Sequence, residues 1–320
     1  RGLRIVAVID IGSHGLAHIV TVRIVGQHGH TAHRGNTIAI VYIEGVIVEG
    51  ESFTGYAGSS TVNRQLAELK NRGDVKAVVL RVNSPGGSAT ASEIMQQAII
   101  GIQASGRPIV VSMGALAASG GYWVSAPAEQ IIAQPETVTG SIGVYGLLLD
   151  IEGLSEKIGV TFDSVNVGEH INPFTIARPK NEEELAFVQE MVDDIYEAFI
   201  TNVAGHRDME RDQVHAIAQG RVWSGAQAVK HGLVDEIGGL EYAIEVAADL
   251  AGLDEYEIEH HPKEMTSIEV IAELLGEDLA KARTRSSAET RLHYLRRQIE
   301  SLRVWNDHRN IYTLLPLQLH

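Results

Sequence analysis

The sequence predicts an α/β protein organised around a parallel sheet. Three observations carry that expectation. Continuous apolar runs of strand length, at residues 76–82 and 109–113, suit strands covered on both faces. Segments with apolar residues at helical spacing lie between such runs. Each of these two runs leads into a turn rich in small residues, where a strand hands over to a helix.

Taken in order, residues 1–23 are apolar but carry Asp10, His14, His18 and internal glycines. That pattern suits neither a membrane span nor a signal peptide. Residues 24–37 are polar and read as a linker. Residues 38–48 form an apolar strand broken at Glu44-Gly45, and residues 55–60 a flexible loop. Val62, Leu66 and Leu69 share one helical face. After the strand at 76–82, a second stripe is expected from Ile94, Ala98, Ile99 and Ile102, stopped by Gly106. The strand at 109–113, a helix after Ser119 and a strand at 130–133 complete a β-α-β-α-β-α-β series. Right-handed crossovers bring the strand-to-helix turns of such a series to one end of the sheet.

Residues 138–149 are rich in glycine and apolar side chains, and 160–167 read as a strand. Residues 168–181 form a polar loop with Pro173 and Pro179. Leu185, Val188, Val192, Ile195, Phe199 and Val203 mark a long amphipathic helix. Ser224 is placed to N-cap a short helix that Gly232 ends, and 239–251 form another. Beyond Gly252 the chain becomes charged. Residues 268–282 and 287–303 read as surface helices. The second sets Arg291, Arg296, Arg297 and Arg303 against Leu292, Leu295, Ile299 and Leu302. That face suits a neighbouring subunit, an anionic lipid surface or plain solvent. The expected division is a linker or remnant of a preceding repeat at 1–37, one domain at 38–253 and a helical extension at 254–320.

Composition narrows the chemistry. With 320 residues and a formal net charge of −15, the chain lacks a phosphate-binding character, so no nucleic-acid partner is expected. It has no cysteine, which excludes a thiolate nucleophile, a disulfide scaffold and a cysteine zinc site. His28, His30 and His33 cluster in the linker without acidic partners at ligand spacing. No metal and no cofactor is therefore expected.

Two turns stand out. In MGALAASGGYW (113–123) a single serine, Ser119, sits among small residues between a strand and a helix start. A nucleophile needs that setting, with a rigid strand behind it, a helix dipole beneath it and no bulk in front. In NSPGGS (83–88), Gly86 and Gly87 free backbone amides to converge on one spot, as an oxyanion hole requires. A third turn, Thr139-Gly140-Ser141-Ile142-Gly143, offers another small hydroxyl. A general base is harder to find. His206, His215 and His231 sit among charged helical residues, and His170 lies in a loop. Lys70, Lys76, Lys157, Lys230, Lys263 and Lys281 have polar neighbours. Lys180 stands beside Glu182, Glu183 and Glu184, which favour its charged form.

At this point the chain resembles the signal peptide peptidase A family, bacterial Ser-Lys peptidases of the Clp/crotonase fold. The resemblance covers about 38–253. It rests on VKAVVLRVNSPGGS (75–88), RPIVVSMGALAASGGYWVSAPA (107–128), TGSIGVYG (139–146) and GRVWSGAQAVKHGLVDEIGG (220–239). The ending VWNDHRNIYTL (304–314) is similar to that of the long, two-repeat form. The resemblance implies a Clp/crotonase-like ββα superhelix with Ser119 as nucleophile. It implies Ser141 as the hydroxyl orienting a lysine, and Gly86, Gly87 and Gly120 as the oxyanion and substrate-binding residues. The lysine itself departs from the pattern, because its expected position after Val167-Gly168 falls on Ile171. The long form draws serine and lysine from different repeats, so this chain is expected to be its C-terminal half. Further implications are a homo-oligomer, an N-terminal anchor outside this chain, and a place on the periplasmic side of the bacterial inner membrane. The implied substrates are cleaved signal peptides. The alternatives are a catalytically incomplete scaffold and a crotonase-type acyl-CoA enzyme, the latter lacking carboxylate bases and a basic CoA patch.

Overall fold

Unbroken apolar strands need cover on both faces, and the fold supplies it. The computed structural model describes residues 35–163, 173–262 and 311–314. The expected linker and histidine cluster before residue 35, the positions of His170 and Ile171, and the helices expected at 268–282 and 287–303 lie outside these residues.

The elements run β1 (Thr37–Glu44), β2 (Val46–Val48), β3 (Tyr56–Gly58), α1 (Ser59–Lys70), β4 (Val75–Ser84), β5 (Gly86–Ser88) and α2 (Ala89–Gln103). They continue with β6 (Ile109–Ala118), α3 (Gly120–Ser125), β7 (Gln130–Ala133), β8 (Val138–Gly140), β9 (Tyr145–Gly146) and α4 (Glu152–Ile158). Then follow α5 (Glu182–His206), α6 (Arg211–Ile217), β10 (Val222–Ser224), α7 (Gly225–Lys230), β11 (Glu236–Ile237), α8 (Leu240–Leu250), β12 (Glu257–His261) and β13 (Ile311–Leu314).

An eight-stranded sheet has the order β10-β8-β6-β4-β1-β12, with β7 also paired to β6 and β11 to β7. All these pairings are parallel except β10 on β8. The two-residue side-chain period divides each strand between two cores. On β1, Ala39, Val41 and Ile43 join the larger core, which also takes residues of α1, α2, α3 and α5. Ile38 and Ile40 face the smaller core, closed by Ala243, Ile244, Ala247 and Ala248 of α8. β4 divides likewise, with Val78, Leu80 and Val82 on one side and Ala77 and Val79 on the other. A second, five-stranded sheet has the order β3-β2-β5-β13-β9.

Several expectations are corrected. The buried face of α2 is Ala91, Ser92, Met95, Ile99 and Ile102, while Ile94 is 38% exposed. The stripe is turned because α2 packs toward α1 and α3, and the hydroxyls and alanines of its first turn share the buried side. On α5, Val188, Phe199 and Val203 of the expected stripe are buried, joined by Ile200, while Leu185 is 48% exposed. Residues 160–163 of the strand expected at 160–167 form no strand. They follow α4, which Gly159 ends in the left-handed conformation at φ 73°. Residues 257–261 and 311–314, within the expected helical extension, are strands of the two sheets.

Candidate active site

The two glycine-marked turns converge because the strands that lead to them are neighbours. β4 and β6 pair in parallel, and Ser84 stands opposite Ala117 near their C-terminal ends. Ser119 therefore emerges beside Gly86. A Cβ placed on Gly86 would lie 3.0 Å from Ser119 Cβ and 2.6 Å from Gly120 N. Only glycine permits this approach, and its φ of 98° also favours glycine.

Ser119 has φ 55° and ψ −117°, a conformation that β-branched and most other residues avoid. Such a backbone costs about 1–3 kcal/mol and persists only where its surroundings enforce it. Here they do. Ser119 N donates to Gly140 O at 2.8 Å, and Ser119 O accepts from Tyr122 N and Trp123 N, each at 2.9 Å. The following helix is anchored below the site. Tyr122 Oη donates to Leu233 O at 2.8 Å, Trp123 Nε1 donates to Gln96 Oε1 at 3.1 Å, and the Trp123 ring packs on Phe199. Burial pushes the Tyr122 hydroxyl well above its ordinary range, so it stays a donor. The Ser119 hydroxyl is 1% exposed as a residue and has no hydrogen-bond partner. An unpaired buried hydroxyl is a cost, and one that leaves the oxygen available.

Ser141 arrives by the same logic. β6 and β8 pair with Ala118 opposite Gly140, so Ser119 and Ser141 follow the ends of adjacent strands. Ser141 too has a positive φ, 49°, and its N–H donates to Arg221 O at 2.7 Å. It opens onto a cavity of about 330 Å³, lined also by Gly143, Val144, Tyr145, Tyr196, Gln219 and Gly220. The Tyr145 hydroxyl is buried without a partner, and burial pushes it up to about 12.

The glycines divide by geometry. Gly86 N donates to Ser84 Oγ at 3.1 Å. Gly87 lies so close to β2 that a Cβ on it would collide with the Ile47 carbonyl. A Cβ on Gly120 would stand 2.6 Å from Ser92 Oγ and 2.8 Å from Thr313 Oγ1. The sequence reasoning missed this last neighbour. Thr313 and Tyr312, on β13, are fully buried beside the site, and Tyr312 packs against Tyr145 with ring centroids 6.1 Å apart. The signal in the sequence is faint, a four-residue run far from every other site residue.

No base touches Ser119 among the described residues. Lys180 Nζ donates to the carbonyls of Leu149 and Arg178, each at 3.1 Å, and to that of Thr175. Three carbonyls occupy three N–H donors, the full set of an ammonium group. His215 is hydrogen-bonded to Tyr196, and the His231 ring packs at a tilt against Trp223. His206 is held below its ordinary value, first by burial and then by Arg207. None of the described residues forms a cluster of three metal-binding side chains, and none of their helices is long and apolar enough to cross a membrane.

Comparison with known proteins places this site in context. Residues 102–254 match peptidase family S49. "Protease 4" of Salmonella typhi is 39% identical over 240 residues, 75% of this chain and 39% of that protein. A putative signal peptide peptidase SppA of Enterococcus faecium is 39% identical over 181 residues, 57% of this chain and 53% of its own length. A putative protease of Synechocystis is 35% identical over 208 residues, 64% of this chain and 75% of that protein. The chain thus spans well under half of the Salmonella protein and three-quarters of the Synechocystis one. The mixed α/β architecture with its parallel sheet agrees with the Clp/crotonase-like fold of that family. The chain belongs to peptidase family S49, a family of serine-type peptidases.

Proposed function

We propose that this chain is the serine-bearing part of an endopeptidase that degrades cleaved signal peptides and other small apolar peptides through an acyl-enzyme. Ser119 is the nucleophile. Its Oγ attacks the scissile carbonyl, and the developing oxyanion lies against the Gly87 and Gly120 amides. Gly86, whose amide is engaged by Ser84, contributes close backbone approach instead. The proton of Ser119 passes to a lysine oriented by Ser141, then to the leaving amine, and water hydrolyses the ester.

The observation that carries this reading is Ser119 itself: a strained, unpaired serine at a strand-to-helix turn, pressed against a glycine that nothing larger could replace. The lysine comes from another repeat or subunit. The engagement of Lys180 by three carbonyls supports this, and the cavity beside Ser141 has room for such a side chain. The substrate class follows from family resemblance and from the name carried by the Enterococcus relative. Assembly into an oligomer and anchoring on the periplasmic face of the inner membrane belong to the same reading.

Ser119→Ala in the assembled enzyme tests it. The expected outcome is loss of peptide hydrolysis by several powers of ten with the fold intact. Turnover within about tenfold of the parent would overturn the assignment.

A further inference from the structure

The cavity beside Ser141 has a second polar wall. Tyr196 of α5 and Gln219, just after α6, line it together with Ser141. Backbone hydrogen bonds lock the Gln219 and Ser141 turns together. Ser141 N donates to Arg221 O at 2.7 Å, and Gly220 N donates to Ile142 O at 2.9 Å. The turns approach so closely that a Cβ on Gly143 would lie 2.9 Å from Gly220 Cα. Gln219 takes a positive φ of 59° there, a conformation that costs about 1–3 kcal/mol and persists only where its surroundings enforce it.

His215, in the last turn of α6, links the two side chains. Its Nδ1 lies 2.9 Å from Tyr196 Oη, and its Nε2 lies 3.0 Å from the Gln219 amide. A neutral imidazole has one acceptor and one donor. The half-buried Tyr196 O–H needs an acceptor and donates to Nδ1, and the Nε2–H then donates to the Gln219 amide oxygen. Burial raises the Tyr196 hydroxyl, against an opposing pull from the Gln219 N–H, so it remains a neutral phenol. Arg211, Glu197 and Arg221 are the charged groups that act on it. With its proton committed to His215, Tyr196 Oη keeps acceptor capacity toward the cavity.

We propose that Tyr196 is a positioning residue for the general base, held in that role by His215 and Gln219. This rests on the reading in which a lysine from another repeat enters the cavity and serves Ser119. A neutral amine has two N–H donors and one lone pair. Ser141 Oγ accepts one N–H and Tyr196 Oη the other, so the lone pair is left to the Ser119 hydroxyl. The amine takes the Ser119 proton as Oγ attacks, and the resulting ammonium gives a proton to the leaving amine. One hydroxyl alone would let the amine swing its lone pair away from Ser119. Two acceptors on opposite walls fix its direction.

The test measures pH profiles of kcat and kcat/KM for the assembled enzyme, this chain together with its lysine-bearing repeat, on a fluorogenic apolar peptide. Tyr196→Phe should lower kcat about tenfold or more with KM unchanged, because the base is misaligned and substrate binding is not touched. It should also move the acid limb of kcat/KM to lower pH, since an oxygen acceptor favours the ammonium over the amine. His215→Leu should lower kcat in the same way. His215→Gln, whose amide oxygen accepts the Tyr196 proton, should restore it. Thermal unfolding identifies a variant that fails to fold, and the other position then decides. Parent-like kcat in Tyr196→Phe and His215→Leu overturns the proposal, and so does a fall in kcat with the limb unmoved, which marks a structural role. In either case, loss of hydrolysis on Ser119→Ala in the same assembly leaves the nucleophile assignment standing. Full activity of Ser119→Ala, or an assembly that hydrolyses nothing, defeats that reading and the proposal with it.

Discussion

At Ser119 local stability and function pull apart. Its hydroxyl is buried and unpaired, so Ser119→Ala removes a desolvation cost and is expected to leave stability unchanged or raised by up to about 1 kcal/mol. Ser119→Gly additionally relieves the positive φ and should add about 1 kcal/mol more in thermal unfolding. A clear loss of stability in both variants would show that the hydroxyl is structural. Gly87 behaves differently. Its missing Cβ would collide with the Ile47 carbonyl, so Gly87→Ala should destabilise by a few kcal/mol and cannot report on the oxyanion hole alone. Lys180 is a clasp between chain segments. Lys180→Met should cost about 1–2 kcal/mol by orphaning carbonyls, with hydrolysis by the assembled enzyme retained. At this scale the sequence located Ser119, Gly86, Gly87 and Ser141 through small residues flanking apolar runs. It could not show Thr313, which meets Gly87 across 226 residues of chain, because nothing local in a short strand specifies its partner.

Among the elements, α5 carries the clearest pH signature. Asn181 caps it, and Glu184 closes the capping box by accepting from Asn181 N. Arg178 grips both carboxylate oxygens of Glu184, at 2.7 and 2.8 Å. That pairing, aided by the Asn181 N–H and opposed by partial burial, pulls Glu184 from 4.5 down to about 2. A depressed carboxylate stabilises the folded state above its unfolded value and loses that contribution as pH falls through its folded value. The contribution should be complete above pH 4.5 and fade between there and about 2. Arg178→Met should cost about 1 kcal/mol at neutral pH, allowing for the exposure of Arg178, and the difference should vanish toward pH 2. Thermal unfolding of both proteins across this range checks it. A difference independent of pH would contradict the pairing. Element placement was legible where periodicity was long, as in α1, β4, β6 and α5. It failed for 160–163, where a β-branched run follows a helix cap and finds no strand to pair with, and for β12, whose charged sequence hides a parallel edge strand beside β1.

At the scale of the whole molecule, the sheet brings the candidate site together from separate stretches of chain. The parallel sheet sets the Ser84, Ala118 and Gly140 strand ends side by side, which brings Ser119, the glycine backbone and the Ser141 hydroxyl together from three distant stretches. This convergence was legible in the sequence because crossover rules dictate it. The second sheet was not, because its strands are only two to four residues long. The sheet nevertheless gives the site no base among the described residues, and the chain matches only part of its longer relatives. On the proposed function, Ser119 waits for a lysine supplied by another repeat. Hydrolysis of a fluorogenic apolar peptide by the purified chain, alone and after addition of a lysine-bearing N-terminal repeat, decides this. The expected outcome is no turnover alone, turnover on addition, and its loss with Ser119→Ala. Robust hydrolysis by the chain alone, abolished by Lys180→Ala, would contradict it.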